Sequence, residues 1–149
     1  MIYFVDEDFG AYESWIAELE LRGFHVKSLR SADEAFAALW GIALEDVELV
    51  IVDVMLAVDD IDDPKFSVEL TDGYLESGLR LLENLVQQNP NVFPQRAVLL
   101  TNTINDKTLG AAADVSKRYA IELWDKREIM SPLYFGDRVE AAIEGAGKV

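Results

Sequence analysis

Apolar and polar positions along this chain change period repeatedly. Short runs of β-branched, leucine and aromatic residues alternate with longer stretches whose apolar positions recur every three or four residues, the pattern of a parallel α/β sheet. The short runs predict strands at 2–6 (IYFVD), 24–29 (FHVKSL), 47–53 (VELVIVD), 96–101 (RAVLLT) and 120–125 (AIELWD), each of ordinary strand length. Between the first two, Tyr12, Trp15, Ile16 and Leu19 share one helical face, and Gly23 stands where a helix commonly ends. Ser31 and Glu34 have the spacing of a capping box, and Phe36, Leu39 and Trp40 are expected to form the buried face of a second helix closed by Gly41. A third helix is predicted from about Leu75, with Leu75, Leu79, Leu82 and Val86 as its stripe and Asn89 and Pro90 as its stop. The fourth is expected to start near Asn105 or Asp106, and the fifth near Tyr134 with Val139, Ala142 and Ile143 inward.

The 149 residues fit one domain spanning 1–149, with no repeat and no output domain readable after residue 146. One segment breaks the alternation. From Ala57 to Glu76 there are seven acidic residues and a single lysine, which reads as a long, solvated acidic loop inserted at about 57–74; loops of that length are uncommon in compact domains and are usually functional or disordered. The Asp59 to Asp63 cluster lacks the glycine and terminal glutamate of an EF-hand loop.

Composition narrows the chemistry. No run of eighteen apolar residues and no signal peptide is readable, so no membrane association is expected and a cytoplasmic location is. There is no cysteine, and His25 is the single histidine, which argues against a zinc site or a serine triad. His25 itself is expected to be an ordinary residue of the second strand. A net charge of −15 repels a phosphate backbone, so nucleic acid is not an expected partner. Carboxylates, hydroxyls and lysines remain, together with a hard divalent cation.

In an open parallel sheet, ligands bind outside the carboxyl ends of the strands where strand order reverses. Those ends carry Asp6, Glu7 and Asp8 after the first strand, Asp53 after the third, Thr101 after the fourth, and Asp125 and Lys126 after the fifth. With a 2-1-3-4-5 order these groups meet in one pocket. Clustered carboxylates repel one another unless a cation sits among them, and Mg²⁺ suits a set of two or three carboxylates, a carbonyl and waters. Asp53 interrupts an apolar run, where an unpaired buried carboxylate would cost several kcal/mol, on the order of 2–7. A nucleophilic role for Asp53 toward phosphorus follows, with Lys126 and Thr101 binding the phosphoryl oxygens.

These residues resemble the receiver domain of two-component response regulators, a flavodoxin-like (βα)5 fold with strand order 2-1-3-4-5. The likeness spans nearly the whole chain and rests on IYFVDED, LVIVDVML, AVLLTNT and IELWDK. It implies that Asp53 is the phosphorylated residue and that Thr101 and Lys126 complete the catalytic set. It also implies that Asp6, Glu7, Asp53 and the carbonyl of Met55 hold Mg²⁺, and that a histidine kinase or phosphotransfer protein is the phosphodonor. The signal would leave by contact with a downstream protein target.

The chain departs from that family at several positions. Ala57 stands in place of a usual proline, and the loop to the SGLRLLENL stretch is longer than usual. Asn102 replaces a small residue, Leu123 a switch aromatic, and Arg127 a proline, so no cis peptide is expected after Lys126. Trp124 is expected to point away from Leu123. Two other readings stand beside the first: a degenerate receiver-like interaction module acting without phosphate, and a Mg²⁺-dependent phosphohydrolase. The hydrolase ranks last, because Met55 stands where haloacid-dehalogenase-type enzymes carry a second aspartate. A nucleotide site is disfavoured too, since the loop after the first strand holds only Gly10.

Overall fold

The computed structural model describes residues 1–103, 105–129 and 131–146. Five strands, β1 (Ile2–Val5), β2 (Val26–Leu29), β3 (Leu49–Asp53), β4 (Ala97–Thr101) and β5 (Glu122–Asp125), pair in the order β2-β1-β3-β4-β5, and every pairing is parallel. The expected α/β class and strand order are both present. Helices α1 (Glu13–Leu21), α2 (Ala32–Leu39), α3 (Ser77–Gln88) and α4 (Asp106–Tyr119) supply the four crossovers, and α5 (Pro132–Ala146) follows β5.

Strand alternation sorts the core into two layers. Val50 and Val52 of β3 pack with Leu39, Leu82, Leu85 and Val115 of α2, α3 and α4. Leu49 and Ile51 point the other way, to Trp15, Leu19, Phe135 and Val139 of α1 and α5. A strand buried on both faces has no polar side to show, which is why β3 and β4 read as continuous apolar runs.

Local chemistry sets the helix starts. The Ser31 hydroxyl accepts the Glu34 N–H at 3.2 Å, while the Glu34 carboxylate reaches the Arg30 N–H rather than that of Ser31. At α4 the Asn105 side chain accepts the Thr108 N–H at 3.1 Å. Asp8 leads into a 3-10 turn over Phe9–Tyr12 without a side-chain cap bond.

Several expectations are corrected. Trp40 is 59% exposed, because it is the residue at which α2 turns to extended backbone and the buried stripe ends at Leu39. Helix α3 begins at Ser77 rather than about Leu75, since its N-cap Glu76 has non-helical backbone (φ −121°, ψ 22°) and Asp72, Gly73 and Tyr74 before it are left-handed. His25 lies just before β2, where its carbonyl accepts the Ile2 N–H at 2.8 Å.

The acidic insertion carries structure of its own. A 3-10 turn at Pro64–Phe66 drives Phe66 to complete burial against Phe36. The Ala32 N–H donates to the Ala57 carbonyl at 2.9 Å, Ser31 donates to Asp59, and the Asp33 carboxylate accepts the N–H groups of Asp59 and Asp60 at 2.9 and 2.8 Å. Burial opposes ionisation of Asp33, but those two N–H groups outweigh it and hold its carboxyl below the usual range. On the other side Lys107 of α4 pairs with Asp72 at 3.1 Å. Asp59, Asp60 and Asp62 are exposed, as a solvated acidic surface requires.

Candidate functional site

The sheet ladder runs one residue past β1 and β5. The Asp6 N–H donates to the Leu29 carbonyl at 3.0 Å and the Lys126 N–H to the Thr101 carbonyl at 2.7 Å. Extended backbone alternates sides, so Asp6 follows Phe4, Asp53 follows Ile51 and Lys126 follows Trp124. All three therefore fall on the face turned toward α1 and α5. There the Lys126 ammonium donates to Asp6 Oδ2 at 2.9 Å and stands 3.3 Å from Asp53 Oδ2. Asp6 is 1% and Asp53 7% exposed.

Two carboxylates share one ammonium, leaving a net negative charge out of water. Burial, with the charge of Asp6 adding to it, pushes the Asp53 carboxyl up to about 7, although Lys126 and the Met55 N–H pull it back. Burial alone would favour neutral Lys126, but Asp53 and Asp6 outweigh it and raise its pKa above the ordinary value.

The supports are local. Asp6 Oδ1 accepts the Asp8 N–H at 2.9 Å, an Asx turn that aims its other oxygen at Lys126. Behind Asp53, Gly78 lies so close that a Cβ there would stand 1.8 Å from the Asp53 carbonyl oxygen, and its N–H donates to the Val54 carbonyl at 2.9 Å. Ser77 accepts the Leu56 N–H at 3.0 Å and donates to the Leu56 carbonyl. The first turn of α3 thus grips the chain on both sides of Met55. Tyr12 closes the opposite side, its ring centroid 4.8 Å from Lys126 Nζ.

The expected residues divide accordingly. Asp6, Asp53 and Lys126 are brought together. Thr101 is buried one strand from Asp53, its hydroxyl accepting the Thr103 N–H at 3.2 Å. Glu7 is exposed, and among the described residues no three His, Cys, Asp or Glu side chains gather closely enough to hold a metal ion. Asp125 is taken by Arg127, whose guanidinium bonds both its oxygens at 2.7 to 3.2 Å. Asn102 is exposed, Leu123 half-buried and Trp124 fully buried against Phe135, on the side of the sheet opposite Leu123. Among the described residues the cis peptide bond is Phe93–Pro94, not Lys126–Arg127.

Tyr12, Ser77 and Gly78 went unread as site residues. Tyr12 looked like one more position in a core stripe, because spacing does not say what a ring covers. Gly78 carried a signal: glycine inside an amphipathic helix costs about 1 kcal/mol relative to alanine and asks for a packing reason.

No protein-family model matches this chain, and no curated protein matches it. Solved structures do. A CheY-like response regulator receiver domain protein from Methanospirillum hungatei JF-1 superposes with a TM-score of 0.69 at 18% identity, covering 99% of this chain and 95% of that one. The fold is that of response regulator receiver domains. NtrX from Brucella abortus aligns with a TM-score of 0.67 at 20% identity over 99% of this chain, which spans 28% of the NtrX chain. A Burkholderia pseudomallei response regulator, solved with a phosphorylated aspartic acid, a calcium ion and citrate, aligns with a TM-score of 0.61 at 19% identity, over 99% of this chain and 68% of its own.

Proposed function

We propose that the chain is a phosphoacceptor signalling domain in which Asp53 takes a phosphoryl group from a histidine kinase or phosphotransfer protein. The observation that carries this reading is the Lys126 ammonium seated between the buried carboxylates of Asp6 and Asp53 at the strand ends of a receiver fold. An Asp53 oxygen attacks phosphorus, the new O–P bond forms, and the bond to the donor's nitrogen or oxygen breaks with its electron pair leaving on the donor. Lys126 then meets the phosphoryl oxygens by charge and Thr101 by its hydroxyl.

The donor set fits a hard divalent cation such as Mg²⁺. Asp6, Asp53 and the Met55 carbonyl would be its oxygen ligands, with Glu7 in solvent next to Asp6 and waters taking the remaining positions. Bound, the ion supplies charge that keeps Asp53 ionised beside Asp6 and the incoming phosphate. Asp53 has to be a carboxylate to attack, and its elevated pKa makes that form scarce below neutrality. Phosphorylation would bias the α4, β5 and α5 face toward a downstream protein target. The role is that of a switch, not of an enzyme with turnover.

Intact mass after incubation with acetyl phosphate and Mg²⁺ tests the reading. A phosphoryl adduct on the native chain and none on Asp53→Asn is expected; no adduct, under conditions that label a known receiver, overturns it. That second result would favour the interaction module without phosphate, a reading supported by the exposure of Glu7. Steady hydrolysis of varied phosphomonoesters would instead point to a phosphohydrolase.

A further inference from the structure

Lys126 has a third neighbour besides its two carboxylates. Tyr12, the last residue of the 3-10 turn after β1, presents its ring to the ammonium at 4.8 Å. The ring does not float. It packs against Phe4 of β1 with centroids 5.9 Å apart and against Trp15 of α1 at 4.8 Å, and Trp15 in turn stacks on Phe135 of α5 at 4.6 Å. A cation close to the face of an aromatic ring is held by the ring quadrupole, most strongly where water is scarce. Here the lysine side chain is 8% exposed. A four-carbon stem with freely turning bonds is therefore fixed from three directions: Asp6, Asp53 and Tyr12.

We propose that Tyr12 is a positioning residue for phosphoryl transfer, holding the Lys126 ammonium by its ring face so that the charge is already in place when phosphate arrives at Asp53. This rests on the phosphoacceptor reading above. Of the three N–H bonds of the ammonium, one goes to Asp6 at 2.9 Å, and Asp53 Oδ2 stands 3.3 Å away as an ion-pair partner; the ring face adds a constraint on the stem that asks for no particular N–H direction. Loss of the ring lets the stem swing and lowers the fraction of molecules with the charge aligned. The hydroxyl is not required.

Two substitutions separate the ring from its other roles. Tyr12→Phe keeps the ring face, and Tyr12→Leu keeps apolar volume against Phe4 and Trp15 but has no quadrupole. The rate of acetyl phosphate labelling is measured against donor concentration for each folded variant. Tyr12→Phe is expected within about twofold of the native chain, while the saturating rate of Tyr12→Leu falls about tenfold, the equivalent of one desolvated cation–π contact, with the half-saturating concentration less changed. Equal rates for Tyr12→Leu and the native chain overturn the proposal, as does an equal loss in both variants, which would assign the effect to the hydroxyl.

A second readout does not depend on phosphorylation. The Lys126 side-chain protons near the ring should be shifted upfield by NMR in the native chain and in Tyr12→Phe, and should return to ordinary values in Tyr12→Leu. Unchanged shifts in Tyr12→Leu overturn the placement of the ring. Upfield shifts with no labelling of any variant overturn the transfer role of Tyr12 together with the phosphoacceptor reading, whereas normal labelling with no effect of Tyr12→Leu removes only the present inference.

Discussion

Replacing Asp53 by asparagine should stabilise the metal-free protein, and by an amount that grows with pH. In the folded chain the carboxyl is pushed up to about 7 from an ordinary 3.8, by burial first and by Asp6 second. A raised folded pKa means that the native state holds its proton while the unfolded chain releases it. Stability from this group is thus fully present below the unfolded value and declines until the folded value is passed. Roughly three pKa units correspond to about 4 kcal/mol in all, at 1.36 kcal/mol per unit. Roughly a third of that decline is already complete by about pH 5, which leaves about 2–3 kcal/mol between about pH 5 and pH 8. Asparagine has no proton to lose, keeps the shape of the side chain and leaves Lys126 paired with Asp6 at 2.9 Å. Urea denaturation followed by far-UV circular dichroism, in chelator and at several pH values, measures both proteins. Titrating groups remote from this cluster cancel in the difference, so the native chain should lose about 2–3 kcal/mol relative to Asp53→Asn across that window. Parallel pH dependences would refute the reasoning, since they would mean that Asp53 ionises in the fold as easily as in water.

Three further outcomes follow from the packing. Gly78→Ala forces a Cβ onto the Asp53 carbonyl and should cost about 3 kcal/mol or more, read from the urea midpoint, and labelling of Asp53 by acetyl phosphate should fall with it. Phe66→Ala empties a fully buried site under the insertion and should cost about 3 kcal/mol; limited proteolysis should then cut between Asp59 and Leu75 faster than in the native chain. Trp40→Ser should change stability by less than about 0.5 kcal/mol, because the ring is 59% exposed, whereas Trp15→Ser in the aromatic layer should cost about 3–5 kcal/mol.

Strand and helix identities and the placing of Asp6, Asp53, Thr101 and Lys126 at strand ends were legible from spacing alone. Period two and period three to four are local properties, and a carboxylate ending an apolar run needs no partner to be conspicuous. The left-handed turn at Asp72 to Tyr74 went unread, although Asp72–Gly73 is a pair that favours positive φ; Tyr74 gives no such signal. Trp40 was misplaced because a helical stripe does not mark the residue at which the backbone leaves the helix. Nor did a run of acidic residues show that Phe66 pins it to the core, with Asp33 and Lys107 tying its two ends.

Periodicity and charge in the chain itself decide which groups are available and which side of each strand they take. Only folding decides which of them touch. Asp6 and Lys126 are 120 residues apart and meet at 2.9 Å, and whether Glu7 joins them, whether a glycine backs Asp53 or a tyrosine ring covers Lys126, depends on how β1, β3 and β5 are set against α1 and α3. Contacts between distant segments form from the surplus of many small packing terms, and no single stretch of sequence carries that sum.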